Sequence, residues 1–134
     1  MRECERRARE RGLPPLTWPP DWPVGSYSLL PLRAALVAED ENRLREFSHA
    51  AFRHVFAQGG TLQQLETVLE IAREAGVDED AVRAGIEDDA IKDRLRAQTD
   101  AAIALGVPGV PTVAAGDELF WGDDRLEEVA AVLT

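Results

Sequence analysis

The chain has 134 residues, a length that suits one domain with a buried core, and carries 15 Lys plus Arg against 25 Asp plus Glu for a net charge of −10. That balance argues against nucleic acid as a partner, because phosphate contacts draw on clustered Lys and Arg. No apolar run is long enough to span a bilayer and no signal-peptide pattern is present, so no membrane association is expected and the cytoplasm is the expected compartment.

From about Arg2 to Arg11 the chain suits a short helix, with Arg6, Arg7, Arg9 and Arg11 interleaved with Glu3, Glu5 and Glu10 at neighbour spacing. This reads as a solvated, ion-paired helix rather than a basic patch. Cys4 is the single cysteine, so neither an internal disulfide nor a Cys-x-x-Cys redox pair forms within the chain, and the residue reads as a bystander. Gly12 and the Pro14-Pro15 pair stop the helix, and the following LTWPPDWPVGSY cannot sustain another. Two readings stay open for Trp18 and Trp22: walls of a ligand pocket, or indoles that seal the loop onto the helical core through their large apolar area.

Ser28 as N-cap with Pro31 in the first turn starts a helix expected to bury Leu32, Ala35 and Leu36. Leu44, Phe47, Ala51, Phe52 and Val55 then recur at helical spacing until Gly59-Gly60. His49 and His54 share that helix but point roughly 140° apart, and with no Cys-rich or carboxylate cluster nearby no metal site is expected. Thr61 followed by Gln64 has the capping-box pattern, opening a helix whose apolar stripe is Leu62, Leu65, Val68, Leu69 and Ala72 and whose stop is Gly76. Asp78 opens a shorter helix burying Val82 and Ile86, and Asp88 or Asp89 another burying Ile91, Leu95 and Ala102 before Gly106 ends it. Val113-Ala114-Ala115 and Glu118-Leu119-Phe120 flank Gly116-Asp117, the spacing of a two-residue hairpin with glycine first in the turn.

The stretch GVPGVPTVAAGDELFWGDDR, from Gly106 to Arg125, follows the helix IKDRLRAQTDAAIALGV and leads into DRLEEVAAVL. Together these resemble the C-terminal half of the thioredoxin-fold proteins of the DsbA family. Within it the resemblance is to the 2-hydroxychromene-2-carboxylate isomerase and kappa-class glutathione transferase branch, where a GVPT-type turn precedes a hairpin and an FWG-x-DR motif. RRARERGLPPLTWPPDWPVGSYSLLPLRAAL, residues 6–36, resembles the entry to that branch's inserted helical domain. The implied architecture is mainly α with a C-terminal β-hairpin and helix: a helical insertion over residues 1–105 and the C-terminal part of a thioredoxin-like domain over residues 106–134.

The resemblance does not extend to the family's opening strand-helix-strand unit, which carries the nucleophilic Ser or the Cys pair. The expectation is therefore a glutathione-dependent isomerase or a thiol-disulfide oxidoreductase family member, truncated, with no catalytic residue in this chain and weak or no activity alone. Alternatively Met1 is an internal methionine of a longer product. Glutathione is the implied cofactor and a small thiol or its conjugate the implied ligand. By resemblance, Val110 precedes a cis-proline, Pro111, and pairs its main chain with glutathione's peptide-like backbone. Asp123 and Asp124 fall at the start of the last helix, where free N–H groups suit the γ-glutamyl carboxylate and the Asp124 carboxylate its ammonium. Trp121 either closes over the ligand as a pocket wall or is buried against the last helix. An unpaired two-stranded hairpin invites a second copy, the helical array or a separate chain along its edge. The competing reading is a non-catalytic interaction module that uses this edge.

Overall fold

In a computed structural model the described residues are 1–24, 26 and 28–133. The loop reading for Gly25 and Tyr27 lies outside them. The elements are α1 (Arg2–Glu10), α2 (Leu29–Asp40), α3 (Leu44–Phe56), α4 (Leu65–Glu74), α5 (Glu79–Glu87), α6 (Asp89–Ala104), β1 (Thr112–Ala115), β2 (Glu118–Trp121), a 3₁₀ turn (Asp123–Arg125) and α7 (Leu126–Val132). Contacts divide the chain into two compact units, Met1–Leu95 and Arg96–Thr134, with the division inside α6.

The first unit is a helical array in which α2 packs on α3, α4 and α5. Its core joins Ala34, Val37 and Ala38 of α2 to Phe47, Ala50 and Ala51 of α3, with Val68, Leu69, Ile71 and Ala72 of α4 and Val82 and Ile86 of α5. Alanines recur on the α2 and α3 faces, which lets the helices approach closely and leaves the larger side chains of α4 and α5 to fill the space between them. On α1, Arg6 is bonded to Glu3 and Glu10, so its charge faces neighbouring carboxylates on the same helix.

Local caps decide several boundaries. Asp78 caps α5, its carboxylate accepting from the Asp80 N–H at 2.8 Å. Asp88 does the same for Ala90 at 2.9 Å at the start of α6. At the end of α4, Gly76 N–H donates to Arg73 O and Val77 N–H to Ala72 O, the paired closure of a Schellman motif. The pattern repeats at the end of α6 through Gly106 and Val107.

Three expectations need correction. The capping box at Thr61 does not form: α4 begins at Leu65 behind Gln64, which makes no side-chain cap bond, and residues 61–64 run as an irregular segment. Ser28 stands at the N-cap of α2 but its hydroxyl caps nothing, and the buried face is Ala34, Leu36, Val37 and Ala38, while Leu32 is exposed and Ala35 half-buried. The face is rotated because α2 is held by α4 and α5 as well as α3. Finally, α6 has no buried residue: Ile91, Leu95 and Ala102 are half-buried.

In the second unit β1 and β2 form a two-stranded antiparallel sheet with Thr112 opposite Trp121 and Ala115 opposite Glu118, one residue longer at its open end than the sequence spacing predicts. Gly116 has φ +61 and is the first turn residue. Asp117 keeps a negative φ, so the turn has the II′ pattern, whose twist matches that of the strands. Ala115 and Phe120 pack with Val129 of α7, and Val113 lies against them. Among the described residues no helix is long and apolar enough to cross a membrane.

Candidate functional site

The second unit gathers the Val-Pro turn, the open end of the hairpin and the acidic pair. Thr112 Oγ1 donates to Gly109 O at 2.5 Å and ties down the turn ahead of β1. The Val110-Pro111 peptide is cis. Gly122 N–H donates to Pro111 O at 2.9 Å, which fastens the residue before Asp123-Asp124 to the turn. Gly122 has φ +107, a conformation that favours glycine, and a Cβ there would overlap the Asp124 carboxylate. That carboxylate thus folds back toward Gly122.

Val110 is 90 % exposed, and among the described residues no hydrogen bond engages its main chain. It therefore presents one donor and one acceptor at the surface. Trp121 is 57 % exposed and so is not buried against α7. Its indole lies along the turn, with Nε1 3.2 Å from where a Cβ on Gly109 would stand. A side chain at residue 109 would lift the ring; glycine lets it lie flat.

The start of the last helix differs from the expected arrangement. Asp123 and Asp124 occupy a 3₁₀ turn capped by Gly122, and α7 begins only at Leu126 with seven residues. Short helices carry little aligned dipole, so the attraction expected there for a carboxylate is reduced. Arg125 donates from Nε and Nη2 to Glu128 at 2.5 and 2.6 Å, and its guanidinium stands 5.6 Å from the Phe120 ring centroid. The hydrogen bonds and charge of Glu128 raise its pKa further. Arg125 thus joins the turn to α7 and β2.

The first unit holds Trp18 and Trp22, and they belong to an aromatic group centred on Phe56. The Trp18 and Trp22 rings meet Phe56 edge to face at centroid distances of 5.7 and 5.2 Å, and Phe52 stacks on Phe56 at 6.2 Å. Trp18 Nε1 donates to Glu5 at 2.9 Å, and Thr17 N–H donates to Phe56 O at 2.7 Å. Both indoles therefore hold the Pro/Trp loop to the helices. Trp22 also lines a cavity of about 440 Å³ bounded by the loop, α2, α3 and residues 60–63, whereas Trp18 does not line it. Sequence reasoning missed Leu32, Phe52 and Phe56 as cavity residues. The available signal was an apolar stripe on α3 too wide for one core face, since Phe47 and Val55 are buried while Phe52 is not.

Cys4 is exposed. His49 is exposed on α3 and His54 packs against Gly60. Among the described residues no group of three or more His, Cys, Asp or Glu side chains converges as a metal site.

Comparison with known proteins supplies the remaining evidence. The family model for the DSBA-like thioredoxin domain matches residues 1–134. The chain is 27% identical over 133 residues to a 2-hydroxychromene-2-carboxylate isomerase of Sphingobium xenophagum, an alignment covering 99% of this chain and 66% of the relative. A solved structure of a 2-hydroxychromene-2-carboxylate isomerase superposes with TM-score 0.84 at 26% identity, covering 98% of this chain and 62% of the other. A thioredoxin-like oxidoreductase from Silicibacter pomeroyi DSS-3 superposes with TM-score 0.61 at 26% identity, over 84% of this chain and 63% of that one. The match thus spans a little under two thirds of each of these three proteins.

Proposed function

Because this chain belongs to the DSBA-like thioredoxin domain family, we propose that residues 110–124 form a half-site for glutathione in a protein of hydroxychromene-carboxylate-isomerase type. The observation that carries the reading is the 2.9 Å bond from Gly122 N–H to Pro111 O, which brings an acidic pair to a turn whose Val110 main chain is unoccupied. In this reading Val110 N–H and C=O pair with the peptide-like backbone of the tripeptide as a one-residue strand addition. Asp124, with Asp123 beside it, receives the γ-glutamyl ammonium. The exposed Trp121 ring walls the thiol end. The acidic pair is matched to a cation, and the backbone donor to a carbonyl.

The chemistry such a site serves is reversible thiolate addition. The glutathione sulfur adds to a conjugated carbon-carbon double bond, the resulting single bond rotates, and loss of the same thiolate restores the alkene as its geometric isomer. Neither the serine that holds the glutathione thiolate in that branch nor the cysteine pair that the related oxidoreductases use for thiol-disulfide exchange has a counterpart at a matching place in these 134 residues, so this polypeptide by itself is proposed to be weak or inactive as an enzyme. The proposed compartment is the cytoplasm.

A second reading rests on the sheet itself. Two strands over a core of Ala115, Phe120 and Val129 leave strand edges unpaired, and such an edge recruits another strand. We therefore retain, as the alternative, an interaction module that docks this edge on a second copy or a partner chain.

Calorimetric titration of the 134-residue chain with glutathione, beside an Asp124→Ala variant, tests the first reading. Saturable binding that weakens in the variant supports the half-site. No heat of binding from a folded chain sinks it, and a concentration-dependent dimer in sedimentation would then favour the interaction module.

A further inference from the structure

We propose that Thr112 is a positioning residue, whose hydroxyl fixes the Val110 main chain for pairing with a ligand's backbone; this rests on the half-site reading and deepens it. Thr112 Oγ1 donates to Gly109 O at 2.5 Å, at the short end of the range for a hydroxyl donor. The bond runs from the start of β1 back past Pro111 and Val110, so it shuts both into a loop closed by a side chain.

What the loop leaves open decides its use. On the N-terminal side of Val110 the Gly109 carbonyl is held by Thr112, and on the C-terminal side the Pro111 carbonyl accepts from Gly122 N–H at 2.9 Å. Proline has no N–H of its own. Val110 lies between these two anchors, 90 % exposed, with donor and acceptor both unengaged among the described residues. Trp121, which faces Thr112 across the hairpin, also reaches back to Gly109 and lays its ring where a Cβ would stand. Two paired strand residues thus converge on Gly109, one on its carbonyl and one beside its Cα.

The residue type suits this task. Thr112 is half-buried and β-branched, so its χ1 is stiff, and its backbone is fixed by the strand. Its hydroxyl is therefore aimed at one place. A surface residue that must first be ordered in order to pair forfeits about ten-fold in affinity for the backbone freedom it loses. A bond made within the chain removes that loss before a ligand arrives. Valine at residue 112 would keep the branch and the strand preference without the donor, whereas serine would keep the donor.

The test compares wild type, Thr112→Val and Thr112→Ser by nitrogen-15 relaxation of the Val110 amide, hydrogen exchange across the hairpin, and calorimetric titration with glutathione. In wild type the Val110 order parameter should lie near about 0.85, the value of rigid backbone, and in Thr112→Val below about 0.6. Glutathione should bind Thr112→Val about ten-fold more weakly, while β1 and β2 stay equally protected, and Thr112→Ser should restore both order and affinity. A Val110 amide that is mobile in wild type, or equally ordered in Thr112→Val, overturns the proposal. So does a hairpin that loses protection in Thr112→Val, which would make the hydroxyl a support of the sheet, or a Thr112→Ser chain as weak as Thr112→Val. Wild-type binding that Thr112→Val leaves unchanged sinks the positioning role alone. Absence of glutathione binding by wild type sinks the half-site reading and, with it, this use of the bond.

Discussion

The Gly122 amide donates to the Pro111 carbonyl across 2.9 Å, one residue beyond the last paired position of the hairpin, where Thr112 faces Trp121. This bond makes the Val-Pro turn and the acidic pair parts of one local structure. It requires φ +107 at residue 122, and it leaves no room for a Cβ beside the Asp124 carboxylate. Gly122→Ala is therefore expected to cost about 1–3 kcal/mol, the usual range for a non-glycine residue forced into such a conformation. Hydrogen exchange should show faster amides across β1 and β2, with α2 to α5 unchanged. Unaltered protection in the hairpin would show that the bond does not hold the two segments together.

The caps make a sharper comparison. Asp78→Ala removes two bonds, to the Asp80 and Ala81 N–H groups, and should destabilise the helical unit by about 1 kcal/mol. Ser28→Ala and Thr61→Ala remove no cap bond and should change stability by less than about 0.5 kcal/mol. Urea unfolding of the three variants checks the order. A Thr61→Ala effect equal to that of Asp78→Ala would mean that the capping box forms after all.

These caps show where the sequence was legible. Asp78 and Asp88 act through their nearest amides, so a one-dimensional pattern contains all the information needed. The same holds for Gly116 in the hairpin turn and for the closures at Gly76 and Gly106. Thr61 failed because residues 61–63 border the cavity and α4 starts only where Leu65 reaches the core, a tertiary choice that overrides a local motif. The rotated face of α2 has the same origin: periodicity shows that a helix has an apolar side, but not which part of a wide one its neighbours cover. At the candidate site, the proximity of Pro111 to Gly122 follows from hairpin register. The exposure of Trp121 along Gly109 could not be read from spacing, because it depends on a ring lying over a backbone rather than on a repeat.

The Arg73 and Glu79 pair joins the end of α4 to the start of α5 through bonds of 2.8 and 2.7 Å. Hydrogen bonding from Arg73 is the main cause that holds the Glu79 carboxyl below its ordinary value; desolvation opposes it, and the charge of Arg73 adds a smaller lowering effect. A carboxylate whose pKa is lower folded than unfolded favours the fold above its unfolded pKa, and that contribution is lost as pH falls through the folded value. Carbon-13 titration of the Glu79 carboxyl should therefore give a midpoint lower than that of an exposed, unpaired glutamate. Arg73→Gln should move the midpoint upward, and high salt should do so in part, since both groups face solvent. A midpoint insensitive to Arg73→Gln would assign the shift to another neighbour.

Gly85 sets two opposing effects against each other in one substitution. It lies within α5, where alanine is favoured over glycine by about 1 kcal/mol on helix propensity alone. A Cβ at that place, however, would overlap Val37 Cγ2 on α2, and Val37 is buried among Ala34, Ala38 and Val82 in the core. Valine has one free side-chain torsion and its helical rotamer is strongly fixed, so it cannot swing aside. The alternative is to separate α2 from α5, which loses contact along both helices. Overpacking of this kind costs about 1–3 kcal/mol, enough to reverse the propensity gain. Gly85→Ala is accordingly expected to be destabilising, and Val37→Ala destabilising by itself through the space it leaves. The double variant should be more stable than the sum of the two, with a coupling of about 1 kcal/mol or more, because each change supplies what the other lacks. Thermal and urea unfolding of the four proteins measure that coupling. Strict additivity would show that α2 and α5 do not meet at this pair, and a stabilised Gly85→Ala would show that the helices have room the core packing does not display.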